Sequence, residues 1–311
     1  MLTVLIATRN GAQTLPVVLD AHTRLESPAG GWKLVVVDNA STDGSGEILK
    51  SFQHRLPLTC VCEPQDGKNV ALNTGLGFVS GDLVAFTDDD AFPRADWLLR
   101  LREAADARPA FSIFGGLVVP RWETVPPDWI LNWVPLGPTF TISDPHLDEG
   151  PIPPSQVFGP NMAVRADVFE GGHRFDTTIG PRRSGKYPMG SETELVQRLI
   201  RLGGSAWHVH GAIVEHFVRA NQMRPGWIIN RALRFGRGRY RLRGRPAQAL
   251  PCWCGVPRYL FRRMAGETAS VLGAALRGNA ENLFHSCWEL SYLCGQAIEA
   301  RIIGKERRVP S

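Results

Sequence analysis

No uninterrupted apolar run in this chain reaches the roughly 18 to 20 residues that a membrane-spanning helix needs, so no such helix is expected. The opening residues Met1 to Ala7 lack the charged start and cleavage site of a signal peptide, and they read as a first strand. Cysteine is sparse and wrongly spaced for a structural zinc site. Cys60/Cys62 and Cys252/Cys254 form Cys-x-Cys pairs, Cys287 and Cys294 stand alone, and no matching histidines sit nearby. Reduced, packing cysteines are therefore expected. Where strand one ends, at Ala7-Thr8-Arg9-Asn10-Gly11, neither the G-x-G-x-x-G of a dinucleotide fold nor the G-x-x-x-x-G-K-[ST] of a P-loop appears. Internal repeats and low-complexity tracts are also missing.

What is present is an ordinary folded composition with an uneven charge. The 311 residues hold one large domain or two modest ones, with 43% hydrophobic and 21% charged residues. The formal charge is +5. Residues 1 to 150 carry 11 Lys+Arg against 19 Asp+Glu, which leaves 24 basic and 11 acidic residues in the remainder. An acidic, metal-competent half precedes a basic half that must meet an anion, whether phosphate, anionic lipid or nucleic acid.

The first third alternates short apolar runs with helical periodicity. Strands are expected at Leu2 to Thr8, Lys33 to Val37, Leu58 to Cys62 and Leu83 to Phe86, and helices at Ala12 to Leu25, Ser45 to Phe52 and Lys68 to Val79. That alternation predicts parallel βαβ units with helices on both faces of the sheet. Residues 120 to 160, rich in Pro and Trp, read as a long irregular segment, a lid or a wall facing the acceptor. A helix resumes from Ser191 to Leu202. After His216 come Arg-rich helices at Gly226 to Arg243, Pro257 to Leu276 and Ala280 to Ile303. The expected division is a catalytic domain over 1–220 and a basic, helical C-terminal region over 221–311.

The most telling feature is Phe86-Thr87-Asp88-Asp89-Asp90, an aspartate triplet at the exit of a buried strand. Three carboxylates there repel one another unless a cation neutralises them, and hard oxygen ligands suit magnesium or manganese. In an open α/β sheet the carboxyl end of a strand is where ligands bind. The competing reading of such a triplet alone is a solvated acidic turn.

The rest of the motif order weighs against that turn. Strand two ends at Val37-Asp38-Asn39-Ala40-Ser41-Thr42-Asp43-Gly44, and Gly67-Lys68-Asn69-Val70-Ala71-Leu72-Asn73 precedes the triplet. Gly159-Pro160-Asn161, Arg174-Phe175-Asp176, Gly190-Ser191-Glu192-Thr193-Glu194 and Glu215-His216 follow it. From about Leu2 to His216 this order resembles the family 2 glycosyltransferases, nucleotide-sugar enzymes of GT-A fold. Each piece is weak alone, and the specificity lies in the ordered set.

The resemblance implies an α/β fold, with a GT-A-like, mostly parallel central sheet and a C-terminal helical region beyond it. It implies that Thr8 and Asn10 line the nucleoside pocket and that Asp38 hydrogen-bonds base or ribose. Lys68 and Asn73 would sit beside the nucleotide. Asp88 and Asp89 belong to the donor site, Asp88 reaching ribose or metal. Asp90, with His216, would hold a divalent cation, Mn2+ or Mg2+, bridging the diphosphate. Where the family carries Glu-Asp with Asp as catalytic base, this chain has Ser191-Glu192, so Glu192 is taken as the base and Glu194 is the alternative.

Bland readings stand beside these. Asp38 and Asn10 also suit turn capping, Lys68 and Asn73 suit a solvated helix face, Glu192 suits a helix N-terminus, and His216 suits a bonded core histidine. The implied partners are a nucleotide-sugar donor, a UDP-sugar first among them, and a glycan or lipid-linked acceptor, with no nucleic acid. Polysaccharide or glycolipid synthesis for the cell envelope is the implied setting. A cytoplasmic location is expected. The Arg-rich stretch from Arg231 to Arg241 is an anion clamp, a solvated basic face or part of a peripheral contact with anionic membrane, to which Trp253, Arg258, Arg262 and Arg263 would add. The rival functions are a nucleotidyltransferase of related sheet and a non-enzymatic membrane- or nucleic-acid-binding protein.

Overall fold

In the computed structural model, which describes residues 1–243 and 251–306, the chain builds one central sheet flanked by helices. The strands β1 (Leu2–Thr8), β2 (Trp32–Asp38), β3 (Leu58–Cys62) and β4 (Leu83–Asp88) alternate with helices α1 (Leu15–His22), α2 (Ser45–Phe52) and α3 (Lys68–Leu76). Then come β5 (Ala91–Pro93), α4 (Trp97–Ala107), β6 (Ile113–Trp122), the short helices α5 (Asp128–Trp133) and α6 (Leu136–Phe140), β7 (Gly150–Pro151), β8 (Met162–Arg165), α7 (Ala166–Glu170), α8 (Ser191–Arg201) and β9 (Ala206–Val218). The C-terminal region adds α9 (Pro225–Leu242), a small hairpin of β10 (Cys252–Trp253) and β11 (Val256–Pro257), α10 (Arg258–Leu276) and α11 (Ala280–Glu306).

The strand order is β3-β2-β1-β4-β8-β6-β9-β5, with β7 also on β9. The long pairings β1–β2, β1–β4, β2–β3 and β6–β9 are parallel, and the short ones through β5, β7 and β8 are antiparallel. The sheet is thus mostly parallel, as expected.

Its strands are continuously apolar because both faces are covered. Val4 and Ile6 of β1, with Leu34 and Val36 of β2, face Leu15, Leu19, Leu49 and Leu101 from α1, α2 and α4. The alternate residues Leu5, Val35, Val37 and Phe86 face Leu72 and Leu76 of α3, Phe169 of α7 and Leu195 and Leu199 of α8. A one-residue slip would exchange these two sets, so register is strongly specified.

Residues 120 to 160 are less irregular than the composition suggested. Pro127 and Pro135 stand immediately before α5 and α6, where a missing N–H costs nothing. Helices this short carry too little periodicity to show in the sequence.

The C-terminal helices lean on the sheet domain through a third apolar cluster that joins Ile130, Phe140 and Val218 to Ile228 and Phe284. Where α9 crosses α11, a Cβ at Gly236 would strike the Tyr292 carbonyl, so only glycine lets the two backbones approach this closely. Glu299 of α11, fully buried, accepts bonds from Arg237 at 2.9 Å and Arg241 at 2.6 Å of α9. That buried ion cluster fixes how α9 lies over the mouth of the sheet. Cys60, Cys62, Cys254, Cys287 and Cys294 are free thiols. Among the described residues no helix is long and apolar enough to cross a membrane.

Candidate active site

The apolar β4, buried on both faces, delivers the aspartate triplet to the carboxyl edge of the sheet beside the end of β1, with Ala7 opposite Asp88. The chain then turns into β5, which pairs with β9 so that Ala91 lies opposite His216. The Phe217 amide donates to the Asp90 carbonyl at 2.9 Å. Asp88, Asp90 and His216, far apart in sequence, are thereby gathered with one ligand atom of each within 4.8 Å of the others.

The donor set fits a hard divalent cation. His216 is bonded through Nδ1 to the Phe140 carbonyl at 2.7 Å, so Nδ1 carries a proton and, when the ring is neutral, Nε2 presents a lone pair. That lone pair faces the Asp90 carboxylate at 3.5 Å. A lone pair and a carboxylate repel unless a proton or a metal ion lies between them, and two carboxylate oxygens with one imidazole suit Mn2+ or Mg2+. Asp90 also accepts from Arg219 at 3.0 Å. Burial works to raise the Asp90 pKa, but His216 and Arg219 outweigh it and hold the carboxyl well below its usual range. Asp89 goes the other way. Burial and the Asp90 charge push its pKa up, and it accepts a 2.5 Å bond from the Thr8 hydroxyl.

Glu192 lies in the first turn of α8 and turns its carboxylate into the same cavity. Gly159 makes that possible, because a Cβ there would overlap the Glu192 carboxylate. Lys68, at the start of α3, bridges Asp88 at 2.7 Å and Glu192 at 3.1 Å. Burial raises the pKa of Glu192, yet the Lys68 charge prevails and the net shift is downward, which keeps the group ionised. Glu194 points elsewhere and pairs with Arg198 at 2.8 Å. Of the two glutamates only Glu192 lines the cavity.

The cavity is about 980 Å³, large enough for a nucleotide-sized ligand with a partner. Its floor is polar (Lys68, the aspartates, Glu192, His216), and its far wall is aromatic, with Phe158, Tyr187, Trp227 and Tyr292. A smaller cavity of about 380 Å³ adjoins it through Arg9 and Lys68 and is lined by Thr8, Asn10, Asp66 and Arg183. Asp66 there accepts from Arg9 at 2.5 Å.

Not every residue read from the sequence reaches these spaces. Thr8 and Asn10 do, at the smaller cavity. Asn10 sits in the left-handed region (φ 52) and accepts from the Thr42 amide at 2.8 Å, tying the end of β1 to the loop after β2. Asp38 lines neither cavity and accepts from the Ser41 amide at 3.0 Å, a turn-capping role. Asn73 is likewise not brought to the cavities. Its amide donates to the Phe175 carbonyl and accepts from the Phe175 amide, both at 2.9 Å. Both groups of its side chain are engaged, so Asn73 clamps the 175 loop to α3. Replacing Asn73 with Ala should cost roughly 1 to 3 kcal/mol, because it strands two Phe175 backbone groups, while leaving UDP affinity unchanged. Urea melts with parallel calorimetry test this, and weakened UDP binding at unchanged stability would refute it.

The sequence reading missed Arg219, although it follows His216 by three residues at the end of the same strand. It also missed the aromatic wall, since Phe158, Tyr187, Trp227 and Tyr292 share no motif. Only the loop and helix packing brings them together.

Comparison with known proteins agrees with this geometry. The family model described as Glycosyl transferase family 2 matches residues 3–169, more than half of the chain. The chain belongs to this family. The succinoglycan biosynthesis protein ExoM of Rhizobium meliloti is 26% identical over 221 residues, covering 70% of this chain and 67% of ExoM. A glucosyl-dolichyl phosphate glucuronosyltransferase of Haloferax volcanii is 23% identical over 205 residues, 64% of each chain. The chain spans a third to two thirds of the length of such curated relatives. Among solved structures, a mannosyltransferase of Pyrobaculum calidifontis in complex with GDP-Man and Mn2+ superposes with a TM-score of 0.62 at 21% identity, covering 96% of this chain and 86% of the other. The fold is therefore GT-A. Membership of a glycosyltransferase family sets aside the nucleotidyltransferase and non-enzymatic readings.

Proposed function

We propose that this family 2 member is an inverting glycosyltransferase that moves a sugar from a nucleotide-sugar to an acceptor hydroxyl. The observation that carries the reading is the placement of the Asp88, Asp90 and His216 cluster and the Glu192 carboxylate in one cavity. Asp88, Asp90 and His216 would hold a Mn2+ or Mg2+ ion. Bound there, the ion supplies Lewis-acid neutralisation of the diphosphate leaving group. Thr8, Asn10 and Asp66 border the side pocket that we assign to the nucleoside. Glu192 takes the proton from the acceptor hydroxyl as its oxygen attacks the anomeric carbon and the bond to the diphosphate breaks. No second carboxylate nucleophile is required, and the anomeric configuration inverts.

The nucleotide-sugar bound to the mannosyltransferase neighbour and the polysaccharide and lipid-phosphate context in the relatives' names support the donor and acceptor classes. We take a UDP-sugar as the first donor to test and a glycan or lipid-linked hydroxyl as the acceptor, in cell-envelope synthesis. Thermal-shift screening of UDP- and GDP-sugars with and without Mn2+ tests the reading. A donor that stabilises the protein only with the metal is expected. Indifference of every nucleotide-sugar to Mn2+ would sink it.

Lys68 makes a pH prediction. Its charge lowers the Glu192 pKa, so in Lys68→Met that pKa rises and the base is protonated at a higher pH. The acid limb of kcat/KM should therefore move to higher pH. An unmoved limb would mean that another group titrates there.

We also place the chain in the cytoplasm, peripheral to an anionic leaflet. The free thiols Cys60, Cys62, Cys254, Cys287 and Cys294 suit a reducing compartment. An exposed stripe along α10 runs from Arg258 and Arg262 to Leu272 and Leu276, beside Trp253, which is 64% exposed. Basic groups beside exposed apolar ones complement anionic headgroups. Flotation should show binding to vesicles containing phosphatidylserine and loss of it in Arg258→Glu/Arg262→Glu. Equal flotation with neutral vesicles would remove the membrane contact.

A further inference from the structure

The residues of α9 that line the main cavity are Trp227, Arg231, Phe235, Arg239 and Leu242, a single face of the helix. Two features of this face are unexplained by donor and metal. The first is unused hydrogen-bonding capacity. Arg231 and Arg234, three residues apart, each bury an Nε with no hydrogen-bond partner among the described residues. Arg234 is tethered to the Tyr187 hydroxyl at 3.0 Å, and its charge depresses the pKa of Arg231, which burial already lowers. Meanwhile the carboxylates on the cavity floor have their own cations. Asp88 and Glu192 share Lys68, and Asp90 has Arg219. Two half-buried guanidinium groups side by side repel each other, and an anion joining them relieves that repulsion.

The second feature is where this charge stands. Arg231 is stacked over the Trp227 ring at 5.8 Å and lines the same cavity as Glu192. It stands on the α9 wall of that cavity, whereas the proposed metal ligands stand at the carboxyl edge of the sheet. Apolar and aromatic groups surround it, namely Trp227, Phe235, Leu242 and Tyr292. An anion arriving there carries an apolar or ring-shaped body with it.

We propose that Arg231, assisted by Arg239 on the same wall, binds a phosphoryl group of the acceptor. The acceptor is then a phosphate ester whose organic part packs on the aromatic wall. This rests on the glycosyltransferase reading and specifies its second substrate. A tetrahedral phosphoryl group accepts from several guanidinium N–H groups at once, which suits arginines spread over two turns of helix. The ester is either a lipid phosphate or a sugar phosphate, and both present the same group to Arg231.

The test is calorimetry on the full chain saturated with UDP and Mn2+, titrated with dodecyl phosphate, glucose 1-phosphate and the uncharged dodecyl maltoside. At least one phosphate probe should bind roughly tenfold or more tighter than the maltoside. Preference for dodecyl phosphate assigns a lipid source, and preference for glucose 1-phosphate a sugar source. In R231Q the phosphate affinity should fall roughly 10- to 100-fold while UDP–Mn2+ affinity and Tm hold. Equal binding of all three probes overturns the proposal. So does an R231Q that loses UDP–Mn2+ affinity in the same measure, because Arg231 would then serve the donor diphosphate. Should R231Q not fold, the salt dependence of wild-type binding decides, and phosphate binding indifferent to salt overturns the proposal. Absence of UDP–Mn2+ binding by the wild-type chain would instead defeat the underlying glycosyltransferase reading.

Discussion

Glu192→Gln should bind nucleotide-sugar and Mn2+ as the wild type does, yet lose roughly 10²- to 10⁴-fold in kcat. The amide keeps the volume and still offers an oxygen to Lys68, now 3.1 Å from Oε1, but it cannot take a proton. Because Glu192 is buried against Lys68, the substitution also leaves that ammonium with Asp88 alone, so a small loss of stability accompanies it. Single-turnover kinetics with calorimetric donor affinity separate the two effects. A variant that transfers sugar at the wild-type rate would remove Glu192 from the mechanism. Glu194→Gln serves as the contrast, since Glu194 is bonded to Arg198 outside the cavity and its loss should leave kcat within about threefold.

Asp90→Asn should abolish the Mn2+ dependence of donor binding. The Asp90 carboxyl is held well below its usual pKa range by His216 and Arg219, against the effect of burial. Replacing it removes one of the three donors gathered within 4.8 Å and leaves the Arg219 charge without its carboxylate partner beside the remaining two. That unbalanced charge would repel a divalent ion. Donor affinity measured with Mn2+ should fall to the value measured with EDTA, a loss of roughly 100-fold. An Asp90→Asn protein whose UDP affinity still rises on adding Mn2+ would show that the cation is held elsewhere. Asp89→Asn should differ, because Asp89 is already inclined to be neutral and bonds Thr8 rather than an incoming ion.

The parallel half of the sheet was legible because its physics is local. β1, β2 and β4 are buried on both sides, so their apolar runs are uninterrupted and stand out from the helical periodicity between them. Helix ends were less legible. α1 starts at Leu15 rather than Ala12, with Pro16 in its first turn, and α3 stops at Leu76 rather than Val79. The antiparallel strands β5 and β8 were missed. They are only a few residues long, and their pairing is set by partners remote in sequence.

The candidate site divided in the same way. Asp88, Asp90, Glu192 and His216 were readable because each closes a strand or opens a helix in a recognisable order. Asp38 and Asn73 matched that order equally well, yet neither lines a cavity: one Asp38 oxygen accepts from the Ser41 amide, and both polar groups of Asn73 are taken up by the Phe175 backbone. A motif records residue type and spacing, whereas side-chain direction depends on which backbone groups are left unpaired nearby.

Sequence by itself determined the α/β alternation, the acidic strand exit and the family, because these depend on periodicity and on order along the chain. Tertiary structure alone turned Glu192 rather than Glu194 into the cavity, placed Lys68 between two carboxylates and brought Arg231 and Arg239 of α9 to the same cavity. The Lys68–Glu192 contact, 3.1 Å long, joins residues 124 positions apart, and such proximity exists only once the helices have packed on the sheet.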